Sequence, residues 1–517
     1  MVDDREPDVA IEECVQSRRL YHHTTYHHIS PEERSLIQEQ LLEWYDREKR
    51  TNMPWRKEYR NDLDREVNVD TAESLEAKVL SVSVIPIGLC TTQVATVIDY
   101  YNRWMEAFPT IFDLAKADIE RVNTLWAGLG YYSRARRLWE GAQKVVKQFD
   151  GILPNNAKDL QHHIPGVGRY TAGAVASIVF GQETPVVDGN VIRVIARLRA
   201  LGADPKKANV VELFWEIAEG LVSQSRPGDF NQALMELGAR VCTPQGPDCG
   251  ACPIKAQCHA YAQVETHSRL KANGFWKATP AGQKRKRDME HECKYCLEIQ
   301  TDLTDEDYAV TRYPAKPEKK KPRDEECAVY ILQSNQANND RYLISKRPET
   351  GLLAGLWEFP SLELDVLDTT YDQRAAKATE FLKERYGISI PPSKDASLQR
   401  HDLGNVVHLF SHIRKVYHIE WIKMDLDQEA MDMAVAMAVS KSDKDQARWV
   451  DLQELKKSPI PTGLKKAIKL MENFEKTSNN GKKSAATKTM RKQTSKTSSS
   501  GNNADISTFF LKKESCK

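Results

Sequence analysis

The sequence predicts a multidomain chain, with a mostly α first domain followed by an α+β second domain. Three observations predict it. From about Ser30 to Ala262 the apolar residues recur at helical spacing, with few alternating runs. Residues 263–326 are rich in charge and lack apolar periodicity. From Cys327 onward short alternating apolar runs take over. The 517 residues leave room for two or three domains and their linkers.

Residues 1–30 read as a disordered polar tail. Its Asp3, Asp4, Glu6, Asp8, Glu12 and Glu13 argue against a secretory signal and against an Arg-rich transit peptide. Residues 31–262 form the helical domain. Leu36, Gln40, Leu41 and Trp44 share one helix face there, and Val191, Val194, Ile195 and Leu198 share another. Residues 263–326 are an interdomain connector with basic runs at Lys284–Arg287 and Lys319–Lys321. Residues 327–476 make the second domain. Ala328–Leu332 and Tyr342–Ile344 flank Asn335–Asp340 as a hairpin, and Val406–Phe410 and Val416–Ile422 are further strands. Ala375–Tyr386 and Leu464–Phe474 read as helices. Residues 477–517 are a second disordered tail. Its part up to residue 504 holds too few apolar side chains to fold, and Ile506, Phe509 and Phe510 reappear beyond it. No run of about 18 apolar residues occurs, so no membrane span is expected. The net charge of +1 means that any nucleic-acid-binding surface is local.

Six of the ten cysteines fall in two tight groups, a pattern of metal binding in a reducing compartment. Cys242, Cys249, Cys252 and Cys258 place four thiolates within 17 residues. Four thiolates suit a [4Fe–4S] cluster or a tetrahedral zinc. Zinc ribbons usually carry two separated Cys-x2-Cys knuckles, and only one is present here, which favours iron–sulfur. The segment Phe230–Ala239 is the helix expected to deliver Cys242. The spacing and that helix resemble the endonuclease III and MutY superfamily of base-excision glycosylases. The resemblance implies a helix–hairpin–helix fold, in which the cluster does no chemistry on the base and its loop presents basic residues such as Lys255 to phosphates.

Upstream, Ile164-Pro165-Gly166-Val167-Gly168-Arg169-Tyr170 joins two helical patterns. Gly166 and Gly168 permit a tight turn, and amides at the start of the following helix can hold a phosphate. By resemblance this is the superfamily's DNA grip, with Arg169 beside it. Twenty residues on, Asp188 reads structurally as a helix N-cap. The order of parts supports a second role. The resemblance implies that the Asp188 carboxylate faces C1′ and stabilises positive charge as the base leaves, oriented by Asn190. A lyase-type relative needs a lysine after the hairpin arginine for a Schiff base; this chain has Tyr170, which implies a monofunctional glycosylase.

Such an enzyme must extrude its target nucleotide and fill the gap. Gly128-Leu129-Gly130-Tyr131 fits that need, with Tyr131 implied as the wedge beside the damaged guanine and Arg134 and Arg136 as phosphate contacts. The MutY-type adenine glycosylases carry an early helical segment Trp-Val-Ser-Glu-Ile-Met-Leu-Gln-Gln-Thr-Gln-Val-Ala-Thr-Val. Its second half survives as Thr92–Val97, including the implied DNA contact Gln93, but Pro86 stands where the glutamate should be. That glutamate protonates the departing adenine, and proline can neither donate a proton nor sit comfortably within a helix. Three readings are open: a mis-joined exon, an impaired paralogue, or Glu73 or Glu76 taking the role.

Arg347–Pro360 resembles the Nudix-like C-terminal domain of the same family. The helix that would hold Mg²⁺ in a hydrolase offers Glu384 between Lys383 and Arg385, with Phe381 at a carboxylate position, so the domain is expected to bind only. Phe410, Ser411 and His412 resemble the loop that reads 8-oxoguanine. In the connector, His291, Cys293 and Cys296 resemble part of a zinc site of animal members, completed by His27 or His28. Asn503, Ile506, Phe509 and Phe510 look like a sliding-clamp binding peptide. The reading is thus an adenine glycosylase for adenine opposite 8-oxoguanine, or opposite guanine, in double-stranded DNA. It is expected to be monomeric, free of membranes and nuclear, a mitochondrial form being open though no transit peptide is seen. The alternatives are a lesion-binding scaffold and an endonuclease III-like lyase.

Overall fold

The computed structural model describes residues 24–56, 94–273, 293, 295–296, 309–317, 321–336, 339–348, 350–365, 367, 369–391, 398–410, 412–440 and 446–490. Gln93, Pro86, His291, Ser411 and the clamp-peptide residues lie outside them.

Eleven helices are described up to residue 273: α1 (Pro31–Glu48), α2 (Val94–Ala107), α3 (Ile111–Lys116), α4 (Ile119–Trp126), α5 (Tyr132–Phe149), α6 (Ala157–His163), α7 (Arg169–Ile178), α8 (Gly189–Leu198), α9 (Ala208–Leu221), α10 (Pro227–Arg240) and α11 (His259–Ala272). They form two lobes. One packs Trp104, Leu114, Trp126, Leu138, Ala172 and Val175 from α2–α7. The other packs Leu41 and Trp44 of α1 against Val191, Ile195, Phe214, Phe230 and Leu234 of α8–α10. The first helix starts at a Ser30–Glu33 capping box, which fixes where the chain enters α1. Its buried face is Ile37, Leu41, Trp44 and Tyr45, whereas Leu36 is exposed, correcting the expected face by a fraction of a turn. The strip had to include the adjacent aromatic pair Trp44 and Tyr45, and a strip through both rotates Leu36 out.

The second domain is a mixed seven-stranded sheet of β1 (Arg323–Gln336), β2 (Asn339–Lys346), β3 (Trp357–Glu358), β4 (Ser361–Leu364), β5 (Gln399–Leu409), β6 (Ile413–Met424) and β7 (Ala447–Val450). The path runs β3-β2-β1-β6-β5, with β4 on β1 and β7 on β2. Only β1 and β6 run parallel. Strand alternation sends Val329, Ile331, Ile419 and Trp421 to one face, under α14 (Leu452–Lys457) and α15 (Thr462–Met490). Tyr330, Leu332, Ile422 and Met424 face α12 (Tyr371–Tyr386) and α13 (Gln428–Ser440). Phe381 packs against that second face, beside Tyr330 and Tyr386.

Three boundaries differ from the sequence reading. Thr24–His27 form a short 3₁₀ turn with His27 fully buried, so the first tail ends earlier than residue 30. The connector's first residues continue α11 to Ala272. Helix α15 runs to Met490, beyond residue 476. The buried first half of α15 supplies the nucleus, and no proline interrupts residues 477–490 beyond it. Among the described residues no helix is long and apolar enough to cross a membrane.

Candidate DNA-binding and catalytic site

Between the lobes the chain passes from α7 to α8 through residues 179–188. Asn231 of α10 holds this passage, accepting from Val186 N at 3.1 Å and donating to Thr184 O at 2.9 Å. A side chain at Gly173 would lie 2.3 Å from Pro185 O, so only glycine lets α7 come this close. The passage ends on Asp188, the half-buried N-cap of α8. Its Oδ1 accepts from Asn190 N at 2.9 Å and Val191 N at 2.8 Å, and its Oδ2 accepts from Asn190 Nδ2 at 2.9 Å. The structural role read from sequence is therefore present, and the same bonds orient the carboxylate.

Sequence reasoning missed Arg193, one turn along α8. It donates to Asn190 Oδ1 (2.7 Å), Gly238 O (2.7 Å) and Cys242 O (2.8 Å). Asp188, Asn190 and the cysteine loop are thereby one hydrogen-bonded unit. The signal was the three-residue spacing from Asn190, which puts both on one helix face.

The turn at residues 164–168 links α6 to α7. Gly166 adopts φ +81, and a Cβ there would sit 2.5 Å from Arg137 Cβ. Gly168 caps α7 without a side-chain bond, leaving the first amides of that helix uncapped. Arg137, Lys144, His162 and Gly168 line an open hollow here. Arg137 and Lys144 were also missed, though seven residues along α5 is two turns. Arg169 ion-pairs with Glu212 at 2.7 Å and lies 4.1 Å from the Trp215 ring centre. Tyr170 Oη lies 3.6 Å from Met235 Sδ.

At the start of α5, Tyr131 is 53 % exposed in a left-handed conformation of φ 49. A non-glycine residue held so is strained, a state that concentrates at working sites. Trp126 Nε1 donates to Gly130 O at 2.9 Å and fixes the loop from behind. Arg134 lies 4.6 Å from the Tyr131 ring centre, and its buried Nη1 has no hydrogen-bond partner among the described residues. Gln93 lies outside the described residues.

Cys242, Cys249, Cys252 and Cys258 line one cavity with Arg197, Lys255 and Tyr261. Burial pushes the Cys252 thiol up to about 12 and Cys258 to about 11. Arg197 Nη1 lies 3.3 Å from Cys242 Sγ. Among the described residues only His27, Cys293 and Cys296 gather three such ligand atoms within 4.8 Å of one another. Four thiols lining one hollow are a donor set that fits an iron–sulfur cluster. The smaller triad fits zinc: His27 Nε2 lies 3.4 Å from both sulfurs, and His27 Nδ1 is 2.8 Å from Arg199 O. An Nδ1–H donated to that carbonyl turns the Nε2 lone pair toward the two sulfurs.

In the second domain Phe410 and His412 lie at the tip of the β5–β6 hairpin, closed by Phe410 N donating to Ile413 O at 2.8 Å. The rings of His408 and Phe410 meet edge to face at 4.5 Å. Ser411, between them, lies outside the described residues.

Residues 89–219 match the model of the HhH-GPD superfamily base excision DNA repair proteins, and residues 328–470 match the NUDIX domain. The chain is 42 % identical over 438 residues to an adenine DNA glycosylase of Homo sapiens, covering 84 % of this chain and 73 % of that one. It is 37 % identical over 444 residues to an adenine DNA glycosylase of Arabidopsis thaliana, covering 81 % and 61 %. A solved thermostable thymine-DNA glycosylase aligns at 25 % identity with a TM-score of 0.37, covering 45 % of this chain and 97 % of the other.

Proposed function

The chain belongs to the adenine DNA glycosylases, and we propose that its substrate is adenine paired with 8-oxoguanine, released by hydrolysis without strand cleavage. The observation that carries this reading is the Asp188 carboxylate, fixed by two backbone amides and Asn190 between the phosphate-gripping turn and the cysteine loop. As the C1′–N9 bond breaks, positive charge grows on the sugar and Asp188 stabilises it; water ends on C1′ and adenine leaves. Tyr170 offers no amine for a Schiff base, which supports hydrolysis alone. Tyr131 fills the gap left by the flipped base, with Gly166, Gly168, Arg169 and Arg134 on phosphates. Arg169 must first leave Glu212.

The hairpin tip Phe410–His412 reads the lesion. 8-Oxoguanine carries a hydrogen at N7 where guanine has a lone pair, so an acceptor such as Ser411 Oγ separates the two. Cys242, Cys249, Cys252 and Cys258 hold a [4Fe–4S] cluster, which shapes the loop presenting Lys255. His27, Cys293 and Cys296, with His291, hold zinc. Phe509 and Phe510 bind a sliding clamp, and Lys284–Arg287 serve nuclear import.

The leaving adenine needs a proton, and Pro86 stands where its donor belongs. General-acid help is worth about 10²–10⁴-fold, so the chain as written binds the mispair and excises slowly. Replacing residues 85–91 by Ser-Glu-Ile-Met-Leu-Gln-Gln should restore single-turnover excision, faster opposite 8-oxoguanine than guanine, and Asp188→Asn should abolish it again. An unaltered chain already as fast as the restored one would overturn the assignment of Pro86. Equal rates opposite the two purines would overturn the substrate.

A further inference from the structure

Among the described residues, the polar contact between the two domains centres on Glu120. Glu120, in the first turn of α4, accepts a 2.6 Å hydrogen bond from Trp357 Nε1. Its other oxygen lies 3.6 Å from Arg448 Nη1, and the Arg448 guanidinium lies 4.2 Å from the Trp357 ring centre. Trp357 is 3 % exposed, so this N–H has no water to fall back on.

Around the contact the second domain is shaped to dock. Leu356 is fully buried within the apolar cluster of the first domain's α2–α7 lobe, and Leu353 packs on that cluster. The loop carrying them is closed on itself: Arg347 N donates to Leu356 O at 2.8 Å, Arg347 Nε to Leu352 O at 3.0 Å, and the Arg347 side chain pairs with Glu358. Leu353 is held at φ 58, a left-handed backbone that a leucine keeps only where its surroundings dictate it.

On the first-domain side, α4 ends at Trp126, whose indole holds Gly130 O. Leu129 and Tyr132, on either side of the Tyr131 loop, pack on the same cluster as Leu353 and Leu356. A short rigid helix thus has the second domain at its first turn and the wedge loop at its last.

We propose that Glu120 is a positioning residue that joins the lesion-reading domain to α4, the helix whose last residue braces the Tyr131 loop, so that the hairpin tip and the wedge engage the base opposite adenine as one unit. The functional half of this proposal rests on the lesion-reading role given above to residues 410–412. The structural half does not.

The test uses the full chain with Glu120→Ala, Glu120→Gln and Trp357→Phe. Glu120→Gln keeps an acceptor for the indole and removes the ion pair; Trp357→Phe keeps the buried ring and removes the N–H. In hydrogen exchange, Glu120→Ala should speed exchange by about tenfold or more in both residues 127–131 and 350–358. Trp357→Phe should do likewise, and Glu120→Gln should do less. In equilibrium binding, Glu120→Ala should reduce the preference for 8-oxoguanine over guanine opposite adenine by about fivefold, while affinity for an undamaged duplex stays within about twofold. Faster exchange in residues 350–358 alone, with 127–131 unmoved, overturns the proposal. So does an unchanged preference in the variants of a chain that itself prefers 8-oxoguanine. If the unaltered chain shows no preference, the reading of residues 410–412 fails, and the exchange data alone decide the coupling.

Discussion

Glu236 is 1 % exposed, yet its carboxylate faces three cations, Arg50, Arg56 and, at 3.9 Å, Arg240. Its Oε1 lies 2.6 Å from Arg50 Nε and its Oε2 2.9 Å from Arg56 Nη2. Burial alone would raise its carboxyl; the hydrogen bond from Arg50 and the charge of Arg56 outweigh burial and hold it below its ordinary 4.5. A lowered folded-state value means that the stabilisation is present above the unfolded value and lost as pH falls through the folded one. Glu236→Gln should therefore cost about 3 kcal/mol at pH 7, and the gap from the parent should narrow below roughly pH 4. Denaturant melts at the two pH values measure it, and a constant gap would contradict the ion-pair account. Two local features of the candidate site were legible: Asp188 as the cap of a helix, and four cysteines in 17 residues brought to one cavity. Glu236 was not, because a lone acid on a helix reads as solvated until Arg50 and Arg56 arrive from a turn 180 residues earlier.

The α6–turn–α7 element depends on one backbone conformation. Gly166 sits at φ +81 with its missing Cβ pointing at Arg137 Cβ, 2.5 Å away. Alanine there meets both the left-handed penalty, about 1–2 kcal/mol, and that contact. Gly166→Ala should weaken binding to any duplex by about tenfold or more with little change in far-ultraviolet dichroism; unchanged affinity would show that the turn does not grip phosphate. The cluster proposed for the cysteine loop has a direct test. Cys249→Ser should remove the brown colour and absorbance near about 400 nm expected of the purified chain, and stoichiometric zinc without iron in the parent would refute the cluster. Periodicity showed α8, where Val191, Val194, Ile195 and Leu198 are the buried face. Periodicity could not show α15 continuing to Met490, since residues 477–490 carry no apolar stripe to read. Nor could it show the turn at Thr24–His27, which is fixed by burial of one imidazole.

At the scale of the whole molecule, the sequence separated two domains but carried no sign of how they dock, because Leu353, Leu356 and Trp357 read equally well as core of their own domain. The clamp peptide is legible only as an anomaly, an aromatic pair beyond a polar stretch. Phe509→Ala combined with Phe510→Ala should abolish clamp binding in calorimetry and leave DNA binding intact, and retained clamp binding would sink that assignment. The His27 triad has a consequence for the order in which the molecule is made. His27 is 172 residues from its partner Arg199 and 266 from Cys293. A ribosome adding about 5–20 residues per second needs roughly 15–50 s to cover the longer interval. Throughout that time the sulfurs are not yet synthesised, so His27 meets Cys293 and Cys296 only after the last helix of the helical domain has been made and part of the connector has followed it.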